Sequence, residues 1–469
     1  MKVDKICCIG AGFVGGPTMS VIALKCPNIK VTVVDINQEK IDAWNGELDK
    51  LPVYEPGLAE IIKKVRNVNL FFSTDIDKAI DDSQMIFMAV NTPIKTSGEG
   101  KGYAADLQYI EKSAKQIALA SRSDKIIIEK STLPVRTAEK VKEILELNKK
   151  HEISFEVLSN PEFLAEGTAI NDLFKSDRVL IGGENTKKGR NAIKQLFNIY
   201  NKWIPKSKIL TTNVWSSELS KLVSNAMLAQ RISSINSISA LCEKTGADID
   251  EVSEAVGLDK RIGNKFLKSS IGFGGSCFKK DILNLVYIAR SYGLDDVAAY
   301  WESVVEINSY QTLRLANKVL EYVKSDDELS ITVLGWAFKK DTNDSRESAS
   351  IYLTNKLLSE EIKINIYDPM VESSKIIDDL QNILIENSFN DSKIKKILKR
   401  VKIFDDMYNS LINASGVVIC TEWDEFYEAN WNRIFGKMKS PKYVFDGRNL
   451  LNISKLKQIG FKTYSIGKS

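Results

Sequence analysis

Short apolar runs alternate with longer amphipathic stretches along the first part of the chain. The runs are Lys5-Ile6-Cys7-Cys8-Ile9, Val31-Thr32-Val33-Val34, Met85-Ile86-Phe87-Met88-Ala89-Val90, Lys125-Ile126-Ile127-Ile128-Glu129, Val157-Leu158 and Val179-Leu180-Ile181. Strand-length runs separated by helix-period segments predict a parallel, doubly wound α/β sheet. Near Thr211 the pattern turns mostly helical. Residues from about 216 to 244 predict one long helix, and a wide apolar stripe from about 297 to 323 (Ala298, Trp301, Val304, Val305, Ile307, Leu313, Leu315, Leu320) predicts another. Alternation resumes with Ile331-Thr332-Val333-Leu334-Gly335 and three further runs beginning at Lys363, Gly416 and Tyr443. Three parts are expected: an α/β domain over 1–211, a helical domain over 212–325 and a smaller α/β domain over 326–469.

In doubly wound sheets ligands bind beyond the carboxyl ends of the strands, so the residues just past each run carry the information. The first run passes into Gly10-Ala11-Gly12-Phe13-Val14-Gly15-Gly16-Pro17 and then a helical pattern. Strand, G-x-G-x-x-G and helix together let backbone N–H groups approach a pyrophosphate at a helix N-terminus. The second run ends in Asp35, where an acid that binds the adenosine ribose is expected. An acid there favours NAD, because it repels the 2′-phosphate of NADP. Both α/β parts therefore read as Rossmann-like, although the second lacks the glycine fingerprint. It carries Phe338-Lys339-Lys340-Asp341 and Arg346 instead, a basic cluster suited to a phosphate-bearing ligand. Asn91-Thr92-Pro93, the turn at 130–134 and the stretch 159–167 come after three other strands and could face a cofactor or simply cap helices.

At 469 residues the chain exceeds what one core supports. Lys plus Arg (65) nearly balances Asp plus Glu (61), which gives a net charge of +4 and argues against nucleic acid as a partner. The basic set Lys393, Lys395, Lys396, Lys399 and Arg400 reads as a solvated face. No apolar run reaches membrane-spanning length and the first residues form no signal peptide, so a soluble, cytoplasmic protein is expected. Six scattered cysteines and the single His151 argue against a disulfide framework, a zinc site and a Cys-His dyad.

One cysteine stands apart. Ile271-Gly272-Phe273-Gly274-Gly275-Ser276-Cys277-Phe278-Lys279-Lys280-Asp281 sets a thiol between a glycine-rich bend and a helical run, with Asp281 four residues on and on the same face. A helix N-terminus, with Lys279 and Lys280 nearby, lowers a thiol pKa and makes it nucleophilic; the alternative is a core cysteine. Lys221 and Asn225 lie four apart on the long helix and point the same way.

In order, these blocks resemble the UDP-glucose 6-dehydrogenases, within the wider family of nucleotide-sugar dehydrogenases, over nearly the whole chain. The stretch 272–281 is the most specific block, supported by 10–15, 90–93, 131–136, 160–167, Lys221 with Asn225, and 338–346. The resemblance implies NAD-dependent four-electron oxidation of UDP-glucose to UDP-glucuronate through a thiohemiacetal and a thioester on Cys277. It implies catalytic roles for Lys221, Asn225, Asp281, Thr132 and Glu162 beside Cys277. To NAD it assigns Gly10, Gly12, Phe13, Val14, Gly15, Asp35, Lys40, Val90, Asn91, Thr92, Pro93, Ser131, Thr132, Glu166 and Arg346. To the sugar nucleotide it assigns Glu162, Phe163, Leu164, Ala165, Glu166, Lys221, Asn225, Lys268, Phe273, Gly274, Phe338, Lys339 and Arg448, with Arg261 lent to a neighbouring subunit of a homo-oligomer, dimeric or hexameric. No metal is implied. Two positions depart from the pattern: Lys40 stands where animal members carry arginine, and Phe278-Lys279 replaces the Leu-Pro common in bacterial members. A dehydrogenase of GDP-mannose or of a UDP-N-acetylhexosamine, and a non-catalytic sensor of NAD and sugar nucleotides, are the alternative readings.

Overall fold

The computed structural model describes residues 2–323 and 329–468, so the boundary expected at 325/326 lies outside the described residues. The chain packs as two units, one formed by Met1–Ser224 with Leu283–Leu294 and the other by Asn225–Ile282 with Asp295–Ser469.

The first unit is built on eight strands: β1 (Lys5–Ile9), β2 (Lys30–Val34), β3 (Leu70–Ser73), β4 (Met85–Met88), β5 (Lys125–Glu129), β6 (Phe155–Ser159), β7 (Val179–Gly182) and β8 (Ile209–Thr212). Their order is β3-β2-β1-β4-β5-β6-β7-β8, so the winding reverses between β1 and β4 and the loop after β1 opens at that switch point. Alternate residues of β1 serve opposite cores: Ile6 and Cys8 pack with Val31, Val33 and Phe87, while Cys7 and Ile9 pack with Ile86 and Met88. Burial pushes the Cys7 thiol up to about 12, which makes it an inert packing group.

One expectation is corrected. The sheet is parallel from β3 to β6, but β7 meets β6 antiparallel at Ser159 and Gly182, and β8 then runs parallel to β7. The helix between β6 and β7, Ala169–Phe174, has six residues. Such a helix covers about 9 Å, too little to carry the chain back past a five-residue strand of about 17 Å. The next strand therefore enters from the same end of the sheet.

The second unit carries β9 (Ser330–Leu334), β10 (Lys363–Tyr367), β11 (Val401–Ile403), β12 (Gly416–Ile419), β13 (Tyr443–Asp446) and β14 (Lys462–Ser465), all parallel in the order β11-β10-β9-β12-β13-β14. All six positions repeat the order of the first six strands of the first sheet. The likeness extends to the loop after the first strand: Gly10 N–H donates to Val34 O at 2.8 Å, and Gly335 N–H donates to Tyr367 O at 2.8 Å. The acid after the second strand then diverges. Asp35 accepts the Ala11 N–H at 3.0 Å, whereas Asp368 accepts the N–H of Trp336 at 2.6 Å, that of Ala337 at 2.9 Å and the Trp423 indole at 3.2 Å. The Trp336 indole is fully buried in the core of this unit and donates to Asp379.

Two long helices run over Val214–Thr245 and Asp295–Val323, close to the expected spans. No helix among the described residues is long and apolar enough to cross a membrane.

Candidate active site

In the first unit, each glycine of the loop after β1 answers a different demand. Gly10 has φ 108°, and a Cβ there would lie 2.3 Å from Ala89 O. A Cβ on Gly15 would lie 2.0 Å from Gly10 O, so the helix start packs directly on the loop. At Gly12 no atom lies within 4 Å of a Cβ, which leaves the backbone open to a ligand. Asp35 accepts N–H groups from Ala11 and Asn37 at 3.0 Å each, and the Lys40 ammonium stands 3.0 Å away. Burial works to raise the Asp35 pKa, but these donors hold it below the ordinary value, so the carboxylate is ionised. An open glycine backbone followed by an ionised acid fits the pyrophosphate and ribose of a dinucleotide.

The stretches after β4 and β5 are tied together. Ser131 Oγ donates to Val90 O at 2.6 Å, and Thr92 Oγ1 donates to Thr132 O at 3.1 Å. Asn91 and Pro93 are exposed; Phe13, Val14, Ser131 and Thr132 are half-buried.

Lys130, the first residue of the turn at 130–134, and Tyr200, which the sequence pattern did not single out, organise the region of Glu162. The Lys130 ammonium is buried, 2.9 Å from Glu162 Oε2, and donates to Asn160 Oδ1 at 3.1 Å and to Tyr200 Oη at 3.2 Å. Tyr200 Oη donates in turn to Asn160 Oδ1 at 2.7 Å, and the Phe163 N–H donates to Glu162 Oε1 at 2.9 Å. Burial alone would discharge both ions. Instead Glu162 and Tyr200 hold the Lys130 pKa above its ordinary value, and Lys130 and the Phe163 N–H hold Glu162 below its own, with a smaller push from Lys221. The Lys221 ammonium lies 5.4 Å from the centre of the Phe163 ring, and Arg178 lies 3.9 Å from the same ring. Arg178 also donates to Ser224 Oγ at 3.1 Å, so this arginine, also unforeseen, fixes Phe163 beside Lys221.

In the second unit, Cys277 is exposed and the other five cysteines are buried. It immediately precedes the helix Phe278–Ser291, and its carbonyl accepts the Asp281 N–H at 2.9 Å. Asn225 Nδ2 donates to Asp281 Oδ2 at 2.6 Å in buried surroundings, and Lys280 Nζ lies 3.2 Å from Asp281 Oδ1. Both lysines expected to lend Cys277 a positive field are paired: Lys280 faces Asp281, and Lys279 pairs with Glu347 at 2.8 Å and Tyr352 at 3.2 Å.

The glycine-rich segment before Cys277 is held along its length by groups that periodicity did not reveal. Asn308 accepts the Phe273 N–H at 2.8 Å and donates to its carbonyl at 2.9 Å. Thr312 donates to Ile271 O, Gln311 donates to Ser270 O, and Asn236 accepts the Ser270 N–H. A Cβ on Gly274 would stand 2.6 Å from Glu347 O and 2.9 Å from Phe338 Cβ, so that segment lies directly on the loop after β9. A cavity of about 120 Å³ opens here, lined in part by Phe273, Gly274, Asn308, Glu347 and Tyr352.

Arg448 donates to Phe338 O at 2.8 Å and to Cys420 O at 2.6 Å, so two residues assigned to the sugar nucleotide meet. Lys339 Nζ lies 5.7 Å from the Phe338 ring centre, and Lys268 acts electrostatically on Asp446 at the end of β13. Arg346 is paired with Asp344 at 2.6 Å, and Lys340 with Asp424 at 2.8 Å. Arg261 projects at the surface, 89 % exposed, against Asp259 of its own loop.

Comparison with known proteins matches three family models in chain order. UDP-glucose/GDP-mannose dehydrogenase family, NAD binding domain, covers residues 4–204; the central domain of the same family covers 215–310; its UDP binding domain covers 332–453. The chain is 56 % identical over 465 residues to a UDP-glucose 6-dehydrogenase of Drosophila melanogaster, covering 99 % of this chain and 96 % of that one. It is 53 % identical over 470 residues to a UDP-glucose 6-dehydrogenase of Bos taurus, covering 100 % and 94 %. Among solved structures, a UDP-glucose dehydrogenase from the hyperthermophilic archaeon Pyrobaculum islandicum superposes with a TM-score of 0.84 at 28 % identity, over 100 % of this chain and 98 % of that one.

Proposed function

The chain belongs to the UDP-glucose/GDP-mannose dehydrogenase family, and on that premise we propose that it oxidises UDP-glucose to UDP-glucuronate through intermediates bound to Cys277. NAD supplies the hydride acceptor for both oxidations. The observation that carries the assignment to Cys277 is its exposure at the start of a helix, beside the buried Asn225–Asp281 pair, while every other cysteine is buried.

The first oxidation removes the O6 proton and a hydride from carbon 6, which leaves an aldehyde. An aldehyde cannot give up a second hydride usefully until a nucleophile has added. The Cys277 thiolate forms the C–S bond, and the carbonyl oxygen becomes an oxyanion that the Lys221 ammonium and the Asn225 amide stabilise. Loss of hydride from the thiohemiacetal gives a thioester. Water held by Asp281 and Thr132 attacks its carbonyl, the C–S bond breaks, the thiolate returns and the carboxylate leaves. Glu162, kept ionised by Lys130, is a further proton acceptor. The sum consumes one water and two NAD and releases two NADH and three protons.

The reading assigns residues 1–211 to NAD, 212–325 to the thiol chemistry and subunit contact, and 326–469 to the UDP-sugar. NAD is taken by Gly10, Gly12, Gly15 and Asp35, with Thr92, Ser131, Thr132, Glu166 and Arg346. The sugar nucleotide is taken by 162–166, Lys268, Phe273, Gly274, Phe338, Lys339 and Arg448. Arg261, solvent-facing within its own chain, serves a neighbouring copy in a cytoplasmic homo-oligomer. Counting NADH formed per UDP-glucose consumed tests the reaction. Two per sugar is expected, and one would reduce it to an ordinary alcohol oxidation without a task for Cys277.

A further inference from the structure

We propose that Glu129 and Glu218 are positioning residues of this reaction: by sharing one proton they clasp both ends of the segment that carries Thr132, and they tie it to the helix that carries Lys221. The inference deepens the function proposed above and rests on it for the roles of Thr132 and Lys221.

Glu129 is the last residue of β5, at 1 % exposure, and Glu218 lies one turn before Lys221 on the Val214–Thr245 helix, at 3 % exposure. Among the described residues neither oxygen of Glu129 meets a nitrogen or hydroxyl donor; its contact is the carboxyl of Glu218, within hydrogen-bonding reach. Glu218 looks the other way as well. Its Oε2 accepts the Arg136 N–H at 2.8 Å and its Oε1 accepts the Ala138 N–H at 2.9 Å. Those amides belong to the start of the helix Thr137–Asn148. Residues 130–135 are thereby pinned at the β5 end by Glu129 and at the helix end by Glu218.

Two buried carboxylates in contact cannot both be charged. The donors decide where the proton sits. Glu218 accepts two backbone N–H groups, which stabilise its ionised form, whereas Glu129 has no such donor and so carries the proton as the acid that Glu218 accepts. The surrounding charges do not displace this arrangement. Arg136 turns to Glu139 at 3.9 Å and to the Trp215 ring at 5.5 Å, Lys130 turns to Glu162, and Lys221 faces Phe163 and Glu162. Glu139 adds negative potential at Glu218. Burial, reinforced by the Glu218 charge, pushes the Glu129 carboxyl well above the usual carboxylate range, so the neutral acid persists at neutral pH. Its deprotonation at alkaline pH sets two anions in contact and opens the clasp.

The experiment compares Glu129→Gln, which keeps a donor but cannot ionise, with Glu129→Ala and Glu218→Ala in the full chain. Difference infrared spectroscopy should show the C=O stretch of a neutral buried carboxylic acid at neutral pH, present in the parent protein and missing in Glu129→Gln. Glu129→Gln should keep kcat for UDP-glucose oxidation within about twofold, while both alanine variants lose about tenfold or more in kcat with little change in the KM for UDP-glucose. The alkaline fall of kcat should move to higher pH in Glu129→Gln. Absence of the acid band, or a Glu129→Gln variant as slow as Glu129→Ala, would overturn the proposal. Should an alanine variant fail to fold, the infrared band and the Glu129→Gln profile still decide. A parent protein that shows the band but does not oxidise UDP-glucose would sink the proposed function and leave the shared proton standing.

Discussion

The Lys130 ammonium stands 2.9 Å from the Glu162 carboxylate, and its side chain is 3 % exposed. The lysine has no water to fall back on and the partly exposed Glu162 has little, so each depends on the other and on the hydrogen bonds from Lys130 to Asn160 and Tyr200. Replacing Lys130 by methionine leaves a buried carboxylate without its cation. Glu162 is then expected to take up a proton at higher pH than in the parent protein, and the acid limb of the kcat–pH profile should move the same way. Thermal or denaturant unfolding should show a loss of about 3–5 kcal/mol. An unchanged acid limb would remove Glu162 from the proton chemistry.

The same pair sets a pH window for stability. The Glu162 pKa is lowered by folding, so its contribution is present above the ordinary carboxylate value and is lost as pH falls through the lowered one. The Lys130 pKa is raised, so its contribution is present below the ordinary ammonium value and is lost as pH rises through the raised one. Melting temperature measured against pH should pass through a plateau between these limits. Lys130→Met should flatten its acid edge.

Cys277→Ser should abolish the second oxidation while both ligands still bind. The hydroxyl is a far weaker nucleophile at neutral pH than a thiolate. Calorimetric binding of NAD and UDP-glucose is expected to survive, with glucuronate no longer detectable by chromatography. Normal glucuronate production by this variant would refute a covalent intermediate.

Asp35→Asn should weaken NAD by about tenfold to a hundredfold in KM, the worth of a charge-assisted hydrogen bond, with UDP-glucose KM little changed. Lys40→Ala should act more gently, because Lys40 is 35 % exposed and its pairing with Asp35 is screened. Steady-state titration of each ligand separates the two.

Asn308→Ala removes both hydrogen bonds that hold Phe273, at 2.8 and 2.9 Å. A stability loss of about 1–3 kcal/mol is expected, together with a lower kcat, since the segment leading to Cys277 is no longer fixed.

Legibility in the sequence tracks burial. Central strands such as β1, β4 and β12 are apolar and stand out, as do the two long helices. The strands that apolar runs do not reveal, β3, β8, β11 and β14, are the edges of the two sheets, short and half-exposed. Residues in motifs, such as Gly10, Asp35 and Cys277, are readable because their chemistry is tied to local spacing. Lys130, Arg178, Asn236 and Asn308 are not, because each acts on a residue distant in the chain and only folding brings the two together.

The second sheet's counterpart of the glycine loop carries the buried Trp336 right after Gly335, and Asp368 is taken up by the N–H groups of Trp336 and Ala337. The glycine fingerprint and the match to an NAD binding domain both fall in the first unit. In the proposed reaction two hydrides then depart to that one domain, the spent carrier leaving and a fresh one arriving between them. An untethered half-oxidised sugar is a reactive aldehyde that can leave during that exchange. The covalent tether proposed at Cys277 answers a problem of residence time as much as one of bond-making: it keeps the cargo aboard while the carrier changes.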